Sequence, residues 1–163
     1  MLVVIEAGIF IMKLSTRSQY GVRFMLSLAR NYGQGYVYLK DIARGEGMSE
    51  KYLSQITISL KGVGLINASR GARGGYALSR QPAEINIKEI VDALEGESCL
   101  VDCVKDANAC PRVPICASRD IWVFLGGKID ETLSSFNLEQ LVRLNREKAE
   151  ATLAHNIWSP QET

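Results

Sequence analysis

Histidine is nearly absent from the 163-residue sequence: His155 is the single one, and it lies near the C-terminus. No nucleophile motif accompanies it. The glycine-rich run at 71–75 is not followed by Lys-Ser or Lys-Thr, so it is not a P-loop, and its spacing does not match a dinucleotide fingerprint. We therefore do not expect an enzyme or a small-molecule substrate, and we interpret His155 as a surface residue rather than a ligand.

Long apolar runs are absent as well. No stretch reaches the roughly 18 residues that a membrane-spanning helix requires, so we expect no membrane partner. The most apolar stretch, residues 1–12, is broken by Glu6 and lacks the basic region and cleavage site of a secretory signal. Since a polar helix start follows Met12, we expect translation to begin there and residues 1–11 to be a mis-assigned leader. A cytoplasmic location follows, in which thiols stay reduced.

Charge is not lacking but is unevenly divided between the two halves of the chain. Hydrophobic residues make up 47% and charged residues 23%, which is ordinary for one globular domain. Residues 1–80 hold eleven Lys and Arg against four Asp and Glu, a net charge of +7, whereas residues 81–163 have a net charge of −6. Chance could produce such a division. A basic half that meets a polyphosphate is the functional interpretation.

Three helices are predicted in the first half, followed by a hairpin. Apolar residues at helical spacing predict a first helix over 15–31, a second over 39–44 that ends at Gly45 and Gly47, and a third with Ser49 as its N-cap. In the third helix one stripe is predicted to be buried and the opposite face exposed. The buried stripe is Leu53, Ile56, Leu60 and Val63, and the exposed face is Lys51, Ser54, Gln55 and Ile58. This is a helix-turn-helix pattern.

Residues 65–78 have the pattern of two short strands joined by a glycine-rich turn. The strands are predicted at 65–70 and 76–78, and Arg70 and Arg73 flank the tip. An ordinary hairpin without a nucleic-acid role is the alternative. Directly after a helix-turn-helix, such a hairpin makes a winged helix. The predicted fold class is therefore mainly α with a small β-hairpin wing, a winged helix-turn-helix DNA-binding domain plus a long C-terminal dimerisation helix.

The second half contains helices on either side of a cysteine-rich segment. Asn86 caps a predicted fourth helix with an apolar stripe, Ser118 begins a long helix that is apolar on more than one face, and Asn137 caps the last helix. The prolines at 111 and 114 predict a loop between them. The expected organisation is a DNA-binding domain at 12–80, a linking helix at 81–98, a cysteine loop at 99–117, dimerisation helices at 118–155 and a tail at 156–163.

All four cysteines lie within eighteen residues, spaced C-x3-C-x6-C-x5-C: Cys99, Cys103, Cys110 and Cys116. Zinc sites usually present two closely spaced cysteine pairs, and this run has one short spacing. Thiolates on a proline-shaped loop favour an iron–sulfur cluster, whose irons bind cysteine sulfur. Zinc, a thiol–disulfide switch and unligated reduced cysteines remain alternatives.

These residues together resemble a known family. The motifs are Met12-Lys13-Leu14-Ser15-Thr16 with Tyr20-Gly21, Ser49-x2-Tyr52-Leu53-x-Gln55, Arg70-Gly71-x2-Gly74-Gly75-Tyr76-x-Leu78, and the cysteine loop followed by Arg119-Asp120-x-Trp122. Over residues 12–144 the chain is similar to the IscR, NsrR and CymR family of bacterial winged-helix regulators. The resemblance implies a homodimer that binds a palindromic operator, a dimer interface on the long helix, and a cluster held by Cys103, Cys110 and Cys116.

The chain also departs from relatives in that family. Arg119 stands where IscR-like members have a histidine ligand, and Gln19 stands where NsrR-like members have an aspartate. The resemblance therefore leaves the fourth ligand open, with Cys99 as the candidate. It also leaves the cluster type open between 2Fe-2S, which we favour, and 4Fe-4S. In the third helix Ser54 replaces a glutamate of IscR, so a different operator preference is expected.

We expect a dimeric transcription factor that binds double-stranded operator DNA and senses iron–sulfur status, or oxidative or nitrosative stress, through the cluster. A cluster-free, CymR-like regulator controlled by a partner protein or by thiol oxidation is the alternative. We expect side chains of the third helix to contact base edges in the major groove. The two wing arginines are expected to enter or flank the minor groove. The candidate DNA-binding residues are Ser49, Lys51, Tyr52, Ser54, Gln55, Ile58, Arg70 and Arg73.

Overall fold

The computed structural model describes residues 15–71, 74–96 and 100–158, with side chains up to residue 152. The predicted leader at 1–11, the tail beyond residue 158, Arg73 and Cys99 lie outside the described residues, as does the His155 side chain. Within the described ranges, no helix combines the length and the apolar character needed to cross a membrane.

The fold is mainly helical with one antiparallel hairpin, which confirms the predicted fold class. The elements are α1 Thr16–Arg30, α2 Leu39–Glu46, α3 Glu50–Gly62, β1 Ile66–Ser69, β2 Gly75–Leu78, α4 Ile87–Glu95, α5 Asp102–Lys105, α6 Ala117–Ser135 and α7 Leu138–Trp158. Single 3₁₀ turns lie at Pro82–Glu84, Ala107–Ala109 and Val113–Ile115. The last helix takes in 156–158, the first residues of the expected tail.

Side-chain caps begin several of the helices, and those at Ser49 and Asn86 are ones that the sequence predicts. The Ser15 hydroxyl accepts a hydrogen bond from the Ser18 N–H at the start of α1, and Ser49 does the same for Tyr52 at the start of α3. At α4 the Asn86 side chain accepts from the Glu89 N–H while the Glu89 carboxylate accepts from the Asn86 N–H, a complete capping box. Such caps satisfy N–H groups that have no partner within the helix, so these boundaries were readable from the sequence.

The core is formed by the first four helices and the inner side of the hairpin, with the first turn of α7 against them. Its largest fully buried side chains include Phe24, Met25, Leu28, Leu53, Ile56, Leu60, Ile90 and Leu138. The predicted stripe of α3 is confirmed at its first three positions but wrong at Val63, which is 58% exposed. Val63 is the C-cap residue, so its backbone leaves the helical path and its side chain leaves the stripe. Thr57 is buried instead, and its hydroxyl donates to the Ser54 carbonyl at 2.8 Å.

Two further predictions need correction. Helix α2 does not end at Arg44 but runs through Gly45 to Glu46, because a glycine in a helix costs only about 1 kcal/mol relative to alanine. Gly47, with φ 64°, ends it in the left-handed conformation. The cysteine segment is not an irregular loop throughout: it contains α5 and two 3₁₀ turns, and Pro114 lies in the first part of a 3₁₀ turn, where its missing N–H is tolerated.

The hairpin is shorter than predicted in its first strand and starts one residue earlier in its second. Ile66 pairs with Leu78 and Ser69 with Gly75. The Tyr76 backbone also exchanges two hydrogen bonds of 2.9 Å with Val37, which joins the hairpin to the segment before α2. A Cβ atom at Gly75 would lie 2.4 Å from the Val37 carbonyl oxygen, so this close approach requires glycine.

Helix α1 packs tightly on α4 at Gly21, where an added Cβ would lie 2.0 Å from the Leu94 Cδ1 atom. Since Leu94 is itself buried, it has little room to move away. We therefore expect Gly21→Ala to lower the free energy of unfolding by about 1 to 3 kcal/mol through overpacking, measured by urea denaturation.

Gly45→Ala is the matched control, because Gly45 also lies within a helix but an added Cβ there meets nothing within 4 Å. This variant should be neutral or stabilising by up to about 1 kcal/mol, from helix propensity alone. Equal effects of the two substitutions would show that the contact between α1 and α4 at Gly21 is not tight.

Candidate DNA-binding face and cysteine segment

Helix α3 is placed by contacts at both of its ends and along its inner face. The turn from α2 is closed by the Met48 N–H, which donates to the Ala43 carbonyl at 2.8 Å. The Arg17 guanidinium donates to the Ser59 hydroxyl at 2.6 Å and so joins α1 to α3. The hydroxyl groups of Thr57 and Tyr76 lie 3.3 Å apart, which joins α3 to strand β2 of the hairpin. The helix and the hairpin are therefore held as one unit.

The outer face of α3 is available to a partner, as predicted. Lys51 and Gln55 are exposed, and Ile58 is 71% exposed. Burial of Leu53 and Ile56 on the inner face shows that the helix has the predicted rotation. Ser54 is half-buried, and its hydroxyl donates to the Lys51 carbonyl at 2.8 Å, so its oxygen is left to act as an acceptor.

Tyr52 and Ser49 have structural roles beside the predicted DNA contact. The Tyr52 ring is half-buried and packs edge-on against the Tyr20 ring, with centroids 5.7 Å apart. Ser49 uses its hydroxyl oxygen to cap α3. Only part of each side chain therefore remains for DNA, and contact with base edges stays a prediction for both.

A groove of about 510 Å³ lies between α2, α3 and the hairpin, and its charged lining is three basic side chains and one acidic one, Glu50. The predicted wing residue Arg70 lines it and is exposed, together with Lys40 and Lys61, which the sequence analysis did not select. Lys61 lies three residues after Ile58, so helical spacing could have placed it beside the exposed face. Lys40 could be found only once the hairpin was known to lie near the start of α2.

The cysteine segment lies against the start of the long helix α6. Cys103, Cys110 and Cys116 are reduced and half-buried. The geometry does not bring them together as a ready-made site: among the described residues, no three His, Cys, Asp or Glu side chains are close enough to hold a metal ion. The donor chemistry does suit an iron–sulfur cluster, because three thiols are within reach of solvent in one short segment.

Cys116 is the N-cap residue of α6, and its sulfur lies 3.1 Å from the Ser118 hydroxyl. The Ser118 hydroxyl, followed by the backbone N–H of Arg119, lowers the pKa of the Cys116 thiol. Both are donors at a helix N-terminus, where a negative charge is favoured. Cys116 is therefore the described thiol whose surroundings favour a thiolate.

The end of α4, just before the cysteine segment, is attached to the start of α1. The hydroxyl groups of Ser15 and Ser18 donate to the Glu95 carboxylate, and these hydrogen bonds lower the pKa of Glu95. Because the folded-state pKa is depressed, this contribution to stability is present above the unfolded pKa and is lost as the pH falls through the folded value. The attachment is therefore in place at neutral pH.

The sequence matches a known family, described as Rrf2 iron-dependent transcriptional regulators, over residues 14–144. The chain belongs to the Rrf2 family. It is 37% identical over 132 residues to protein rrf2 of Nitratidesulfovibrio vulgaris (strain Hildenborough), which covers 81% of this chain and 88% of that protein. It is 35% identical over 140 residues to the HTH-type transcriptional regulator CymR of Bacillus subtilis (strain 168), which covers 86% and 96%. The structure of T. potens IscR matches with a TM-score of 0.72 and 33% identity, covering 86% of this chain and 93% of that one.

Membership of the Rrf2 family confirms the family resemblance, transcriptional regulation through DNA binding, and the expectation that the protein is not an enzyme. The relatives include both IscR and CymR proteins. Family membership alone therefore does not decide between the cluster-binding and the cluster-free alternative. The individual DNA contacts and the cysteine ligands of this Rrf2-family regulator stay predictions.

Ile58→Ala tests the exposed face of α3. We expect the free energy of unfolding to change by no more than about 0.5 kcal/mol, as for an ordinary surface site. If the side chain contacts a thymine methyl group, binding should weaken by about 1 kcal/mol at one A·T position of the operator. A mobility-shift series over operator variants measures this.

Val63→Ala is the control, because Val63 is also an exposed aliphatic residue but lies past the end of α3. It should leave DNA affinity unchanged. Equal losses in both variants, or none in either, would remove Ile58 from the DNA interface.

Proposed function

We propose that this regulator is a dimeric DNA-binding sensor of iron–sulfur status, or of oxidative or nitrosative stress, and that Cys103, Cys110 and Cys116 are its sensing residues. The observation that carries the proposal is the position of the thiols. Cys116 directly precedes α6, and the Arg119 side chain of α6 donates to the Cys103 carbonyl at 3.0 Å. A chemical change at the thiols therefore acts directly on the start of the long helix.

The three cysteines would hold an iron–sulfur cluster, with Cys99 as the candidate fourth ligand and 2Fe-2S as the favoured type. When bound, the cluster would supply redox-active iron and sulfide that respond to oxidants and nitric oxide. Since the described thiols are not assembled into one site, residues 102–116 must rearrange when they bind metal. No side chain of this segment is buried in the described structure, so little packing opposes that rearrangement.

Dimerisation through α6 is supported by its exposed apolar side chains. Ile121 is 62% exposed and Phe124 is 68% exposed, and they lie one turn apart on the same face of the helix. None of the residues of α6 is buried. A 19-residue helix with such a face gains free energy by burying it against a second copy. Two-fold symmetry then presents two recognition helices to half-sites about one helical turn of DNA apart.

Coupling between the sensing and DNA-binding parts runs through α4 in this proposal. Helix α4 packs on α1, on α3 and on α6. Its Lys88 side chain also bonds to Asp130 of α6, at 3.5 Å. A shift of α6 relative to α4 would therefore change the spacing of the two α3 helices in a dimer. The partner in the cell is operator DNA, in the cytoplasm.

The second candidate is a cluster-free regulator controlled by thiol oxidation or by a partner protein. It is favoured by the separation of the three described thiols, which form no ready-made metal site. Similarity to CymR of Bacillus subtilis is consistent with it. In this case the same segment acts on α6 through oxidation of a thiol rather than through metal binding.

Anaerobic purification with absorption spectroscopy and iron counting tests the first candidate. The wild-type protein should be coloured and contain iron and sulfide. Cys103→Ala, Cys110→Ala and Cys116→Ala should each abolish cluster retention, because each removes one thiolate ligand. Mobility shifts with holo and apo protein then show whether the cluster changes operator affinity.

Cys99→Ala serves as the comparison, because it should lose iron only if Cys99 is the fourth ligand. Normal iron content in any of the first three variants removes that residue from the ligand set. A colourless, iron-free wild-type protein that still binds DNA contradicts the cluster and favours the second candidate.

Phe124→Glu tests the dimer interface. A carboxylate at the centre of an apolar contact should convert the dimer to a monomer in light-scattering measurements and should weaken operator binding at least tenfold, on the order of 1.4 kcal/mol. Ser134→Glu, which adds the same charge at another exposed site on α6, should leave the dimer intact. A dimeric Phe124→Glu protein would place the interface elsewhere.

A further inference from the structure

Arg119 contacts the main chain of two cysteines at once. Its Nε group donates to the Cys103 carbonyl at 3.0 Å, across sixteen residues of sequence. Its backbone N–H donates to the Cys116 carbonyl at 3.1 Å, in the first turn of α6. One residue thus connects the first described cysteine of the segment to the last, although twelve residues lie between them in the sequence.

Helix α5 also contacts α6, but the described backbone hydrogen bonds of the segment do not join α5 to that helix. The backbone hydrogen bonds within the segment are local, such as Val104 N–H to the Val101 carbonyl and Asp106 N–H to the Asp102 carbonyl. Local bonds define α5 but do not fix it relative to α6. Since none of the described side chains from 100 to 116 is buried, apolar packing contributes little either. The bond from Arg119 therefore matters more here than the same bond would in a packed core.

The chemistry of arginine suits this role. A guanidinium group is planar, carries five N–H donors and stays charged at every physiological pH. Here Nε binds the Cys103 carbonyl, so donors on the two terminal nitrogens remain. The group also adds positive charge beside the N-terminus of α6, where the helix dipole has the same sign.

We propose that Arg119 is a positioning residue, which holds the Cys103 backbone against the first turn of α6 so that Cys103 and Cys116 are presented together. The inference rests on the proposed function of these thiols, and it assigns to Arg119 no bond to a metal. When the segment rearranges, the hydrogen bond from Arg119 to the Cys103 carbonyl either breaks or persists. If it persists, α6 moves with Cys103. The side chain therefore sets how far a change at Cys103 reaches α6.

Arg119→Gln removes this contact, and Arg112→Gln is its matched control. Arg112 lies in the same segment, carries the same charge and is exposed, and no hydrogen bond joins its side chain to Cys103. In the reduced, iron-free full-length protein, hydrogen–deuterium exchange of peptides over 100–108 should become about tenfold faster in Arg119→Gln and should not change in Arg112→Gln.

Alkylation of the three thiols by iodoacetamide, followed by peptide mass spectrometry, provides a second measurement. Cys103 should react about tenfold faster in Arg119→Gln, whereas Cys110 should react as in the wild type. Arg119→Lys keeps the charge but not the planar donors, so it should restore only part of the protection. After anaerobic reconstitution, iron retention should follow the order wild type, Arg119→Lys, Arg119→Gln.

Equal exchange and alkylation in Arg119→Gln and Arg112→Gln would overturn the proposal. It would also be overturned by faster exchange that extends equally through α4 and α6, because Arg119 would then act on the stability of the whole domain. The proposed function can fail separately: a wild-type protein without iron would remove the cluster, while the exchange measurement would still decide whether Arg119 holds Cys103.

Discussion

The close packing of α1 on α4 is the constraint on which the other parts of the structure depend. In it Gly21 lies against Leu94, and an added Cβ at Gly21 would come within 2.0 Å of the Leu94 Cδ1 atom. At its end the hydroxyl groups of Ser15 and Ser18 bind Glu95. Helix α1 packs against α3 on the side away from its exposed face, and α4 precedes the cysteine segment in the sequence. The one interface therefore joins the helix that supports α3 to the helix that precedes the cysteine segment.

Much of this arrangement could be predicted because it follows from short-range patterns. Asn86 with Glu89 is a capping box, and the stripe of Ile87, Ile90 and Val91 shows which side of α4 is buried. Patterns fail where the backbone leaves a regular path. Val63 fits the apolar spacing of α3, yet it is exposed because the helix has ended at Gly62. The sequence predicts that α2 ends at Gly45 and Gly47, but Gly45 lies within the helix and Gly47 alone ends it.

The candidate site was predictable in part, for a similar reason. Spacing along α3 placed Lys51, Gln55 and Ile58 on its exposed side, since one helix suffices for that inference. Lys40 approaches Arg70 only through the pairing of Tyr76 with Val37, which joins residues far apart in sequence. The role of Arg119 was also beyond reach, because a side chain that binds the carbonyl of a residue sixteen positions earlier leaves no periodic signal.

The hairpin is attached to α3 and to the segment before α2, and this has a consequence for the operator. The Tyr76 backbone pairs with Val37, its hydroxyl meets that of Thr57, and its ring packs against Phe24 with centroids 6.0 Å apart. In the proposed complex, the two reading elements of one subunit cannot move independently. The number of base pairs between the site contacted by α3 and the site contacted by the hairpin is then set by the protein. Operators within reach of this regulator would share that separation even where their sequences differ.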